Sequence, residues 1–240
     1  MRSIKLVLIA VGAVVALSAF GVSTAAALPL FVSKSGTYPQ TGTISGGLST
    51  FNTTSGHDVI CGSDTGSFSL ELFLFLFLIL LHKCTTTLLF SSAECNTPGE
   101  SKGLIHVHLH VWLGYLTDAA GDKMVGLLEQ PEEADDVLEL FECNANSLEH
   151  AHVLVLGEAV GGIPASEINK PFKSFKVVFG QSSAGVQTPQ TFLLPSPLSL
   201  MTGIKTTWDV TGSISEKTEA SEVAERTNTL SGTEEGEIQG

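Results

Sequence analysis

Three consecutive pieces decide the fold: LIHVHLHVWLGYL (Leu104–Leu116), TDAAGD (Thr117–Asp122) and KMVGLL (Lys123–Leu128). In the first, Ile105, Val107, Leu109 and Val111 alternate with His106, His108 and His110, and Trp112 continues the histidine side. A period of two places successive side chains on opposite faces of a half-buried strand. Asp118, Gly121 and Asp122 supply turn chemistry, so Leu104 to Leu128 is expected to form a long hairpin.

The same signature recurs on both sides of it. Short runs rich in Val, Phe, Thr and Leu lie between clusters of Gly, Ser, Asn and Asp. Strands are expected at Gly42–Ile44, Leu48–Asn52, Asp58–Cys61, Phe68–His82, Leu104–Leu116, Lys123–Leu128, Val137–Cys143, Ala151–Leu156, Phe172–Phe179, Lys205–Ile214 and Ser221–Thr229. Helix signals are scarce and no βαβ rhythm appears, which gives an all-β chain: an antiparallel sandwich or barrel-like single domain over residues 28–240. Pro131–Asp136 should be an exposed acidic loop, and Ser182–Leu200, with Pro189, Pro195 and Pro197, a break between strands. The acidic segment Glu216–Gly240 reads either as a disordered tail or as a last pair of edge strands.

Upstream lies a segment of another kind. Arg2 and Lys5 precede a charge-free apolar run, Leu6 to Val22, and Ala25-Ala26-Ala27 offers small residues for cleavage. Residues 1–27 therefore read as a secretory signal peptide, and the mature chain is expected outside the cytoplasm, secreted or associated with the cell envelope. No later apolar run is long enough for a spanning helix, so no transmembrane anchor is expected. The formal charge of -13 becomes -15 once Arg2 and Lys5 are removed. Such an acidic surface repels phosphate backbones and makes nucleic acid an unsuitable partner.

Cys61, Cys84, Cys95 and Cys143 are an even number in an exported chain and contain no C-x-x-C, so two disulfides are expected. Three pairings can be drawn. The layout favours Cys84 with Cys95, joined across a short returning loop, which leaves Cys61 with Cys143 to staple distant strands.

His106, His108 and His110 could converge on a zinc or copper ion if a neighbouring strand supplied another ligand, and His150 and His152 repeat the spacing. The plainer reading makes them the solvated face of a half-buried strand, with no cofactor. Leu72–Leu81 places Phe73, Phe75 and Phe77 on one face and leucines on the other, as in a strand buried between two layers. Exposed, it would instead be an apolar binding surface, a self-association edge or a contact with envelope lipid. Glu129, Glu132, Glu133, Asp135, Asp136 and Glu139 read as loop or solvent-face charges. The chain has no G-x-S-x-G, P-loop, dinucleotide-binding glycine pattern or H-E-x-x-H.

The order of several short motifs resembles a group of small secreted β-proteins of soil actinobacteria with no assigned activity. The matching residues are Leu28-Pro29-Leu30-Phe31, Val59-Ile60-Cys61 with Ser63-Asp64-Thr65-Gly66, Cys95-Asn96-Thr97-Pro98-Gly99, Leu113-Gly114-Tyr115-Leu116, Val125-Gly126-Leu127, Leu140-Phe141-Glu142-Cys143, Gly161-Gly162-Ile163-Pro164 and Glu234 to Gln239. The resemblance implies a disulfide-containing β domain that includes the C-terminal segment. The apolar Leu72–Leu81 run and the histidines of 106–110 depart from the group's pattern. The function expected is a secreted, noncatalytic structural or binding protein with an extracellular or envelope partner. The alternatives are a metal-binding protein or metalloenzyme using the strand histidines, and a binder of apolar or lipid ligands.

Overall fold

The computed structural model describes residues 29–71, 74–87, 92–117, 123–132, 137–144, 150–188, 191–193, 200–202, 206–212 and 216–240. The expected leader, residues 1–27, and the expected turn, 118–122, lie outside them. The fold is all-β: the described residues form twenty-one strands, numbered β1 to β21, and one 3-10 turn, Ala165–Glu167.

Eight strands close a barrel: β2 (Gln40–Gly46), β5 (Ser63–Leu70), β6 (Leu74–His82), β9 (Leu104–Thr117), β10 (Lys123–Pro131), β13 (Ala159–Gly162), β15 (Ser174–Ser183) and β20 (Glu216–Leu230). Each pairs antiparallel with the next, and β20 returns to β2. The predicted hairpin is present as β9 and β10, with Lys123 opposite Thr117.

The ladders of β3 (Ser49–Thr53), β4 (Val59–Cys61), β7 (Thr85–Thr86), β8 (Ala93–Asn96), β11 (Val137–Asn144), β12 (His150–Leu156) and β19 (Thr206–Gly212) close a second circuit through β20. β20 divides its pairing between the two. Residues 216–223 pair with β19 and β3, and residues 224–230 with β15 and β2.

Outside the circuits, β1 (Leu30–Ser33), β21 (Gly236–Gln239) and β14 (Pro171–Phe172) form a small sheet. It buries Phe31 beside Tyr38 and Phe172. The C-terminal segment is thus ordered from 216 to 240 as β20 and β21. β16 (Val186–Thr188) pairs with β15, while β17 (Thr191–Leu193) pairs with both β9 and β18 (Leu200–Thr202). The 182–200 segment therefore contains strands, although Pro189, Pro195 and Pro197 lie outside the described residues.

The core follows the alternation of the strands. Phe68, Phe75, Phe77, Phe175 and Phe179 are buried with Ile79, Leu81, Ile105, Leu109 and Val177. Phe68 and Phe77 face each other across β5 and β6, ring centres 5.8 Å apart. A Cβ at Gly42 would stand 2.3 Å from the Phe68 ring and from the Thr229 carbonyl, so only glycine lets that ring lie against β2.

Three strand expectations change. Phe172–Phe179 is divided at Lys173, with Phe172 in β14 beside β21 and residues 174–179 in β15 beside β20. Phe68–His82 is not one strand, because the chain reverses near Glu71, whose N–H donates to the Leu74 carbonyl at 2.9 Å. The apolar residues run on through the turn and hide it from periodicity. Nor is β6 buried on both faces: Phe75, Phe77, Ile79 and Leu81 point into the core, whereas Leu76 is 44% exposed. Leu72 and Phe73 lie outside the described residues.

The disulfides are Cys61–Cys84 and Cys95–Cys143, not the predicted pairs. The four cysteines stand in a row across β4, β7, β8 and β11. Cys95 faces Cys143 directly, and Cys61 and Cys84 lie one step beyond the Ile60–Thr85 pair. The bonded partners have Cα atoms 4.0 Å apart in both cases. Cys84 and Cys95 instead share a ladder hydrogen bond, Cys95 N–H to Cys84 carbonyl at 2.9 Å. Hydrogen-bonded pairs in an antiparallel ladder stand about 1 Å farther apart than the alternate pairs, which accounts for the choice.

Candidate functional site

On the outer face of β6 and β9, leucines and histidines stand in register. Leu80 lies opposite His106, Leu78 opposite His108, Leu76 opposite His110 and Leu74 opposite Trp112. Thr65, Ser67 and Ser69 of β5 border the leucine row on its other side. The same alternation that sends Ile105, Val107, Leu109 and Val111 inward sends the histidines out. Trp112 closes the row by packing against Leu116, Leu128, Val160 and Phe192.

Two depressions flank this face and share His108 and Glu132. One, of about 520 Å³, is bordered by Ser67, Ser69, Leu76 and Leu78. The other, of about 560 Å³, is bordered by Thr97, His106, Leu138 and Glu139. His108 Nδ1 stands 3.4 Å from Glu132 Oε2, and His106 Nδ1 stands 3.7 Å from Glu100 Oε1. Glu139 is buried rather than a solvent-face charge, because a register shift between Val137 and Glu139 turns both Leu138 and Glu139 inward. Burial pushes its carboxyl well above the ordinary range, against hydrogen bonds from the Thr97 hydroxyl and the Leu140 backbone.

His152 is exposed on β12, opposite Glu142 and Thr211 in the second circuit, and His150 stands opposite Asn144. The β9 and β12 histidines thus belong to different ladders. Among the described residues no three or more His, Cys, Asp or Glu side chains gather in a metal-holding group.

A second polar cluster, missed in the sequence, lies inside the molecule midway along β20. Arg226 Nε donates to Asp64 Oδ2 at 3.0 Å, Nη1 to Glu129 Oε1 at 2.9 Å, and Nη2 to Glu222 Oε1. The Ser49 hydroxyl donates to Asp64 Oδ1 at 2.9 Å, and the guanidinium carbon lies 4.9 Å from the centre of the Phe179 ring. All four charged side chains are at most 4% exposed. Glu129 is thus an interior residue, which corrects its reading as a surface charge.

Burial pushes the Glu129 carboxyl up to about 8; Arg226 opposes this, while Glu222 and Asp64 add to it. Glu222 is raised for the same reason. Burial works against the charge on Arg226, but the carboxylates outweigh it and raise its proton affinity above the ordinary value. The signal in the sequence was parity: Glu129 shares a face with Val125 and Leu127, and Arg226 with Ala224 and Asn228.

No helix among the described residues is long and apolar enough to cross a membrane. No protein-family model, curated protein or solved structure matches the chain.

Proposed function

We propose that this is an exported, noncatalytic protein, a structural or binding element outside the cytoplasm, that meets its partner through the outer face of β5, β6 and β9. The observation that carries the reading is the outward leucine row beside the histidines. On β2 and β20 the outward positions are polar, Thr41, Thr43 and Ser45 and Glu225, Thr227 and Thr229, while the exposed apolar residues of β10 and β15, Met124 and Val178, stand singly. A contiguous apolar row marks an interaction surface more often than such single exposed residues do. Export is supported by the leader pattern and by two disulfides, which persist in oxidising compartments.

The test has two arms. The mature protein should be recovered outside the cell, beginning at Leu28 with all four cysteines oxidised; an intact leader on a cytosolic product with reduced thiols would refute export. An environment-sensitive anilinonaphthalene dye should bind the native protein, and the Leu76→Ser, Leu78→Ser double variant should lose most of that signal. Equal dye binding by both proteins would rule out this face.

A further inference from the structure

We propose that the Asp64–Glu129–Glu222–Arg226 junction is a proton-binding site whose proton sits on the Glu129 carboxyl, making the fold tightest in mildly acidic medium and looser as the medium becomes alkaline. The geometry sets the problem. One guanidinium serves three carboxylates, one on each of its nitrogens. With all three ionised, the interior would hold two uncompensated negative charges, and an uncompensated buried charge takes up a proton in preference to remaining ionised.

The bonding pattern assigns that proton. Asp64 accepts from both Arg226 and the Ser49 hydroxyl. Glu222 lies four residues from Arg226 on the same strand and accepts from its Nη2. Glu129 has a single contact, to Nη1, and its neighbours across both ladders are apolar, Val111 on β9 and Ala159 on β13. β15 presents the Phe179 ring and β3 the neutral Ser49 hydroxyl. Among the described residues, Arg226, Glu222 and Asp64 are the charged groups acting on Glu129.

The sign follows from linkage. A carboxyl ordinarily loses its proton near 4.5, and Glu129 in the folded protein does so near 8. Between these values Glu129 holds its proton in the folded state and not in the unfolded chain, so its own contribution to the unfolding equilibrium constant rises about tenfold per pH unit and levels off above. This contribution is complete below the lower value and is lost as pH climbs through the upper one. Because residues 216–223 and 224–230 of β20 serve different circuits, a change at Arg226 and Glu222 reaches both.

The experiment is urea unfolding from pH 5 to 9 of the mature protein and of Glu129→Gln, whose amide matches the neutral acid in shape. The wild type should lose stability with pH more steeply than the variant, by close to the tenfold-per-unit slope between pH 5 and 8. Parallel slopes would overturn the proposal. If Glu129→Gln does not fold, carbon NMR of labelled glutamate carboxyls in Glu139→Gln provides the second measurement. That variant removes the other strongly raised buried carboxyl outside the junction and should retain a glutamate that titrates far above the ordinary range. Its absence would likewise overturn the assignment.

Discussion

The two circuits that share β20 are held shut by different means. The first is built on long ladders, with nine register pairs between β6 and β9 and nine between β9 and β10, and its interior is filled with phenylalanine, leucine and isoleucine. It contains no cysteine. The second passes through β4, β7 and β8, of three, two and four residues, and both disulfides lie there. Strands that short bury too little apolar surface to hold a ladder by packing, and covalent links supply the constraint. Where the circuits meet, charge replaces both devices, with Arg226 tying β5, β10 and β20 together.

The comparison can be broken at its joint. Arg226→Met removes the shared cation and leaves Asp64, Glu129 and Glu222 buried without it, so a loss of about 3 to 5 kcal/mol is expected in urea unfolding at neutral pH. A loss below about 1 kcal/mol would mean that the cluster does not join the circuits. Removing the Cys95–Cys143 bridge by a double Cys→Ala change should cost about 2 to 4 kcal/mol. Hydrogen exchange sharpens this case: amides of β7, β8 and β11 should lose protection first, while those of β5, β6 and β9 keep theirs. Uniform loss would show that the circuits open as one unit. Ser49→Ala, which takes one donor from Asp64, should have the smallest effect, about 1 to 3 kcal/mol in the same assay. An unchanged midpoint would mean that Asp64 does not depend on that hydroxyl.

What the sequence disclosed followed from alternation. The β9–β10 hairpin was legible because histidine and aliphatic residues take turns and a polar turn separates two apolar runs. The β5–β6 hairpin was not, since its turn around Glu71 is embedded in leucine and phenylalanine. Cysteine pairing escaped because chain proximity favoured Cys84 with Cys95, whereas the choice depends on which ladder pairs stand closer. The outer histidine face was visible by parity, but not its position beside the leucine row, which depends on the register between β6 and β9. The interior cluster was hidden for a related reason. Glu129 adjoins the acidic run 132–136 in the chain, and neither composition nor spacing relates it to Arg226, 97 residues away.

Placing β20 in both circuits has a consequence for how the protein is made. Synthesis runs from the amino end, and β20 is made after every other strand of the two circuits. Hairpins such as β5–β6 and β9–β10 can form while the chain is still growing, but neither cylinder can seal until that final strand arrives. Both sets of open edges must wait for the same late segment, and a chain cut short before it would leave two unfinished sheets instead of one finished half.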